Sequence, residues 1–259
     1  MSFSNDNTAA HNLHTLIARV RSSTEANVAS AWSDVLGAEW GTYEFARRHA
    51  EVVTLLQMTI RQLTALPERV RIRSERHVSA WWTAVMQPVI NWTDATRRLH
   101  TIIDDDKLDH LESAADLIAG SLVGSGAAPQ SADLSEMAQR CNEWIELLAS
   151  MDEHEMSGPA RDQLISQIRH LIWLIENVRY FGGARVAGEA STVIGSLAQT
   201  GASLVNLRDE NASRWKSALL AFVTACVVFN QGAPIVQESI TQGESIVREI
   251  ASVVDDFQG

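Results

Sequence analysis

Residues 43–66 read YEFARRHAEVVTLLQMTIRQLTAL and run without a glycine or proline up to Pro67. Phe45, Val52, Leu56, Met58, Ile60 and Leu63 recur through this stretch at helical spacing, so it reads as one amphipathic helix. At about 24 residues such a helix would be roughly 36 Å long. That is long enough to organise a helical core. Just upstream, Gly37 and Gly41 punctuate the chain. Before them Leu13, Leu16, Ile17, Val20 and then Val28, Trp32 and Val35 mark one broken helix or two consecutive ones. Ser22 to Glu25 has the spacing of a capping box at the break.

Downstream, Val78, Trp82 and Val85 step by four and three, as one helical face requires, with Pro88 in a first turn or at a kink. Asp104 to Asp106 can cap a further helix through Leu108, Leu111, Ala115 and Ile118, because carboxylates are favoured beside the unpaired amides of a helix start. That helix stops near Gly120. Residues 123–133, VGSGAAPQSAD, have linker composition. Beyond them Leu134, Met137, Cys141, Trp144 and Leu148, then Leu164, Ile168, Leu171, Ile175 and Val178, form two stripes that suit antiparallel packing. Residues 181–259 are rich in small side chains, which favour close helix crossings, and Ile240 to Phe257 reads as a closing amphipathic helix. No stretch alternates as a strand would. The expected fold is therefore an all-α bundle of about eight to ten mostly antiparallel helices. Residues 1–122 and 134–259 form two helical regions that share one bundle or pack as two subdomains.

Charge divides the chain differently from hydropathy. The net charge is -11, from 21 basic and 32 acidic residues. An acidic balance disfavours a nonspecific nucleic-acid binder but leaves room for a local basic patch. The first half is nearly balanced and the second is acidic. Only Lys107 and Lys216 are lysines, so almost every cation is a guanidinium fork. The N-terminus shows no secretory pattern, and Cys141 and Cys226 lack metal or redox spacing, so the sequence reads as a cytoplasmic protein with two buried thiols.

Residues 217–237 form an uncharged run, SALLAFVTACVVFNQGAPIVQ. Its length would allow a membrane crossing, but Asn230, Gln231, Gly232 and Pro234 interrupt it, and a buried core helix ending near Asn230 suits it better. A membrane-associated or pore-forming helical effector is the corresponding alternative.

The basic segment ERVRIRSERH places Arg69, Arg71, Arg73 and Arg76 within eight residues, next to Trp81 and Trp82. Guanidinium groups so clustered can grip phosphates, pair with a partner's carboxylates, or be neutralised by the chain's own acids. Arg71 and His77 fall at an R-x5-H spacing that resembles the active motif of HEPN-type ribonucleases, with Ile72 where that motif commonly has a polar residue. The resemblance implies metal-independent RNA cleavage, with Arg71 stabilising phosphate and His77 moving a proton. Asp105, Asp109, Glu112 and Asp116 share one helix face, and Asp152 to Glu155 form a second acidic patch. Neither has the paired-helix Glu-x-x-His pattern of a dinuclear site, so no metal is expected. Phosphate-loop motifs lack their lysine and strand, and no cofactor is expected. Eight tryptophans are spread along the chain and mostly suit helix contacts, while Trp81 and Trp173 are candidates for an interface. The leading expectation is a soluble helical interaction protein, a scaffold, adaptor or regulatory subunit, with a protein partner or a second copy of itself.

Overall fold

The computed structural model describes residues 8–88, 90–96, 98–121, 131–204 and 207–231, without the side chains of 131–133, 184 and 227–231. The expected linker residues 123–130, residues 232–237 of the uncharged run and the closing helix at 240–257 lie outside these. The protein is all-helical, and no strand occurs among the described residues. It divides into two compact units, Met1–Gly124 with Arg179–Gly182, and Ser125–Val178 with Gly183–Gly259.

The first unit is built round α1 (Ala9–Arg21), which packs on α2 (Val28–Leu36), α3 (Tyr43–Leu63) and α6 (Asp105–Ser121). Leu13, Leu16, Ile17 and Val20 of α1 are fully buried, and they meet a core that includes Trp32, Val52, Leu56, Leu111 and Ile118. Burying each such aliphatic side chain contributes about 1.5–3 kcal/mol. The capping box of α1 is Thr8 with His11, which exchange bonds through each other's side chains and backbone. Ser22 and Glu25 form no such box. Ser23 Oγ accepts the Glu25 amide at 3.2 Å, and Asn27 caps α2 by accepting the Ser30 amide at 2.9 Å. Asn27 immediately precedes the apolar run and so outcompetes the more distant serine.

Two shorter helices follow α3. They are α4 (Glu68–Glu75), which begins directly after Pro67, and α5 (Val78–Met86), with a 3-10 turn at Leu99–Thr101 before α6. Pro88 lies beyond the end of α5 rather than inside it. The cap of α5 is Gln87 in the left-handed region at φ 41, held by its amide to Thr83 O at 2.8 Å and its side chain to Ala84 O at 3.1 Å. The face of α5 is also rotated from the expected one. Trp81, Ala84 and Val85 are fully buried while Trp82 is 44% exposed.

The second unit is a ring of four helices: α7 (Ser131–Ser150), α8 (Gly158–Glu176), α10 (Gly183–Ser203) and α11 (Asp209–Gln231). Each packs on its neighbour in chain order, and α11 closes the ring against α7. Short α9 (Val178–Phe181) precedes α10. The stripes read from the sequence are the core, with Met137, Cys141, Trp144 and Leu148 facing Leu164, Ile168, Leu171, Phe222 and Cys226 across it. Helix α7 starts at Ser131, inside the stretch read as linker. Both thiols are free, and burial pushes them up, Cys226 to about 12, so they stay protonated and act as small apolar groups. No helix among the described residues is long and apolar enough to cross a membrane.

One crossing in this unit depends on a glycine. A Cβ on Gly201 of α10 would lie 2.5 Å from Nε1 of Trp215 on α11, whose ring meets Trp144 edge-on at 4.8 Å. The small residues of this half thus let one large indole occupy the gap between helices.

Candidate functional site

Helix α4 carries the arginine segment on a two-faced scaffold. Ser74 is buried and Val70 half-buried where the helix packs on α3 and α6. Arg69, Ile72, Arg73 and Arg76 step by three, one and three residues, which places them together on one helical face. All four are exposed. Arg71 lies off that face, half-buried, 3.7 Å from Glu75. Among the described residues, Arg69, Arg73 and Arg76 have no ion-pair partner, although the chain carries an excess of eleven negative charges. An isoleucine 43% exposed at the centre of three unpaired guanidinium groups gives this face both apolar and cationic character.

His77 follows at the start of α5 and stacks on His110 of α6, with ring centroids 4.0 Å apart and planes 16° from parallel. Its Nδ1 is buried and makes no hydrogen bond. Desolvation, and then the neighbouring His110 and Lys107, lower its pKa below the ordinary histidine value, with Asp106 opposing. The ring is therefore held neutral near pH 7. Lys107 pairs with Asp106 beside it. Arg71 and His77 are each engaged elsewhere, with Glu75 and His110 respectively, and no hydrogen bond joins them.

The two tryptophans considered for an interface are both buried. Trp81 donates its indole N–H to Lys107 O at 3.0 Å, tying α5 to α6. The adjacent Trp82 takes the surface position instead, because one residue of helix turns a side chain by about 100°. Trp173 is 7% exposed and stacks on His170 at 5.6 Å. The buried stripe of α8 is wide enough to include both of these residues along with Leu171 and Ile175.

The acidic patches also resolve into structural contacts. On α6, Asp105 pairs with Arg21 at 2.6 Å and Asp116 with His11 at 3.0 Å. In the α7–α8 turn, Glu155 is buried and accepts from Arg208 at 2.5 Å and from Asn211 at 2.8 and 3.0 Å. The Arg208 guanidinium holds its carboxyl far below the usual carboxylate range, with Asn211 and the Arg208 and Asp152 amides assisting. Among the described residues no group of three or more His, Cys, Asp or Glu side chains is placed to hold a metal ion.

A concave surface elsewhere in this unit had no motif to announce it. The loop Gly37–Gly41, GAEWG, turns through left-handed glycines at both ends, with φ 62 and 80. Arg48 of α3 fixes it by donating to Leu36 O at 2.9 Å and Gly37 O at 2.7 Å. The loop presents Trp40, whose indole stacks on Trp92 at 4.6 Å and meets Phe45 edge-on at 4.9 Å. Trp92 is itself tethered, its carbonyl accepting the Ala29 amide at 2.9 Å. Between this loop and α2 lies an open cavity of about 390 Å³ lined by Glu25, Asp34, Glu39 and Trp40, with Ala29, Ser30 and Ser33. The only sequence signal was a tryptophan and an acid framed by two glycines. Compared with protein families, curated proteins and solved structures, the chain has no match.

Proposed function

We propose that the chain is a helical interaction protein, a scaffold, adaptor or regulatory subunit, that docks an acidic protein surface through the outer face of α4. The observation that carries this reading is the grouping of Arg69, Arg73 and Arg76 round exposed Ile72, with no ion-pair partner among the described residues. Exposed guanidinium groups contribute little to the fold whether paired or not, so their grouping on one face is available to a partner. A partner rich in carboxylates would satisfy them bidentately. The apolar centre favours protein over nucleic acid, since interface cores combine arginine with buried apolar contact whereas phosphate grips need only charge.

The test is titration of a glutamate-rich peptide and of a duplex RNA of equal charge, with the wild type and an R69E/R73E variant. The peptide is expected to bind, and the double reversal to weaken it by about tenfold or more. Tighter binding of the RNA, or peptide binding indifferent to the reversal, would sink the reading.

A further inference from the structure

The cavity beside Trp40 is concave and acidic, with a partly exposed indole in its lining. Glu25, Asp34 and Glu39 have no ion-pair partner among the described residues. Among the described residues they form no group of three ligands that could hold a metal ion. An extended organic cation fits where a point charge does not. Trp40 is 39% exposed, yet it is locked by the Trp92 stack and the Phe45 edge rather than free to turn. A planar guanidinium can pack against the exposed part of such an indole while its edge N–H groups reach carboxylates at the rim. An ammonium has no plane to stack, so the site prefers arginine to lysine.

The same unit carries the complement. Helix α4 displays Arg69, Arg73 and Arg76 on one exposed face, and within the chain none of them pairs with a carboxylate of the cavity. Helix α4 rests on α3 and α6, whereas the cavity is built from α2, the turn before it and the α2–α3 loop. Each molecule therefore has one basic ridge and one acidic, aromatic groove. We infer that the groove beside Trp40 receives arginine side chains of helix α4 from a second copy of this chain, joining copies head to tail. Such a contact is heterologous, so it extends into rings or open chains rather than closing as a two-fold dimer. The inference rests on the reading of α4 as an interaction face, and it names the acidic surface.

Sedimentation velocity of the full chain over rising concentration tests it. The wild type is expected to exceed single-chain mass, and to return to it as added salt screens the contact. D34R/E39R, which spoils the groove, and R69E/R73E, which spoils the ridge, should each stay at single-chain mass. The neutralised variants D34N/E39Q and R69Q/R73Q should also stay single on their own, and mixed one to one they should form a species of two chains and no larger, because only one ridge and one groove remain charged. Trp40→Ala should raise the concentration at half-association about fivefold. Far-UV circular dichroism confirms that each variant folds, and D34N/E39Q replaces the groove reversal if that variant does not.

A wild type of single-chain mass at every concentration and salt overturns the inference. So does association that survives the groove reversal, or a mixture that stays as single chains. Added hexa-arginine separates the sources of the guanidinium. If it binds the groove while the wild type remains a single chain, the occupant is a foreign arginine-rich segment and not a second copy. A wild type that stays single yet still binds the glutamate-rich peptide through Arg69 and Arg73 loses this inference alone. Loss of both sinks the α4 reading with it.

Discussion

At the scale of single residues, two glycines on α10 make opposite demands. Gly201 sits where any Cβ would run into the Trp215 ring, and that ring is buried against Trp144, so it has little room to retreat. Gly201→Ala is expected to cost about 1–3 kcal/mol from overpacking, partly offset by alanine's better helix propensity. Gly195, with open space where a Cβ would go, has no such neighbour. There the same substitution should stabilise by about 0.5–1 kcal/mol. Paired urea unfolding curves measure both, and equal effects at the two sites would refute the packing argument. The sequence flagged this half as a place for close helix crossings, but composition does not say which glycine faces a ring. That depends on the facing helix. Trp81 and Trp82 make the same point, since consecutive indoles have identical chemistry and only the register of α5 decides which is buried.

Among the elements, the sequence was most informative where a single helix carries its own answer. The stripes of α7 and α8 and the extent of α6 follow from local periodicity. Contacts between distant residues did not. Glu155 looked like part of a polar turn, and its role appears only when Arg208 and Asn211 arrive from more than fifty positions away. His110 reaches His77 in the same way. The Glu155 contact carries a pH signature. Its carboxyl is held below its ordinary value in the folded chain, so the unfolded chain binds the proton more readily. The stabilisation is therefore fully present above the ordinary carboxylate value of 4.5 and drains away as pH falls below it. Glu155→Gln should lower the thermal midpoint at pH 7, and the gap to the wild type should close on acidification below that value. Calorimetry at stepped pH checks this. A gap that stays constant through the acid range would show that the carboxylate charge contributes nothing.

For the whole molecule, the all-helical character was legible in the helical periodicity of its stripes. The sequence reads a linker at 123–133 and gives no sign that the compact unit Met1–Gly124 also takes in residues 179–182. The reason is local chemistry on a four-residue stretch too short to have a period. Tyr180 accepts a hydrogen bond from Arg19 at 2.8 Å and lies under the guanidinium of Arg179 at 4.5 Å. The first unit is thus assembled from two separated pieces of chain. A single proteolytic cut near residue 124 would not release it whole. The fragment 1–124 should unfold at a lower denaturant concentration than the same unit in the full chain, and a Tyr180→Phe substitution in the full chain should reproduce the part of that loss owed to the Arg19 bond. For anyone dividing this protein genetically, the working boundary is a bracket with two ends and not a point, and fusions or truncations placed at one end alone inherit an incomplete fold.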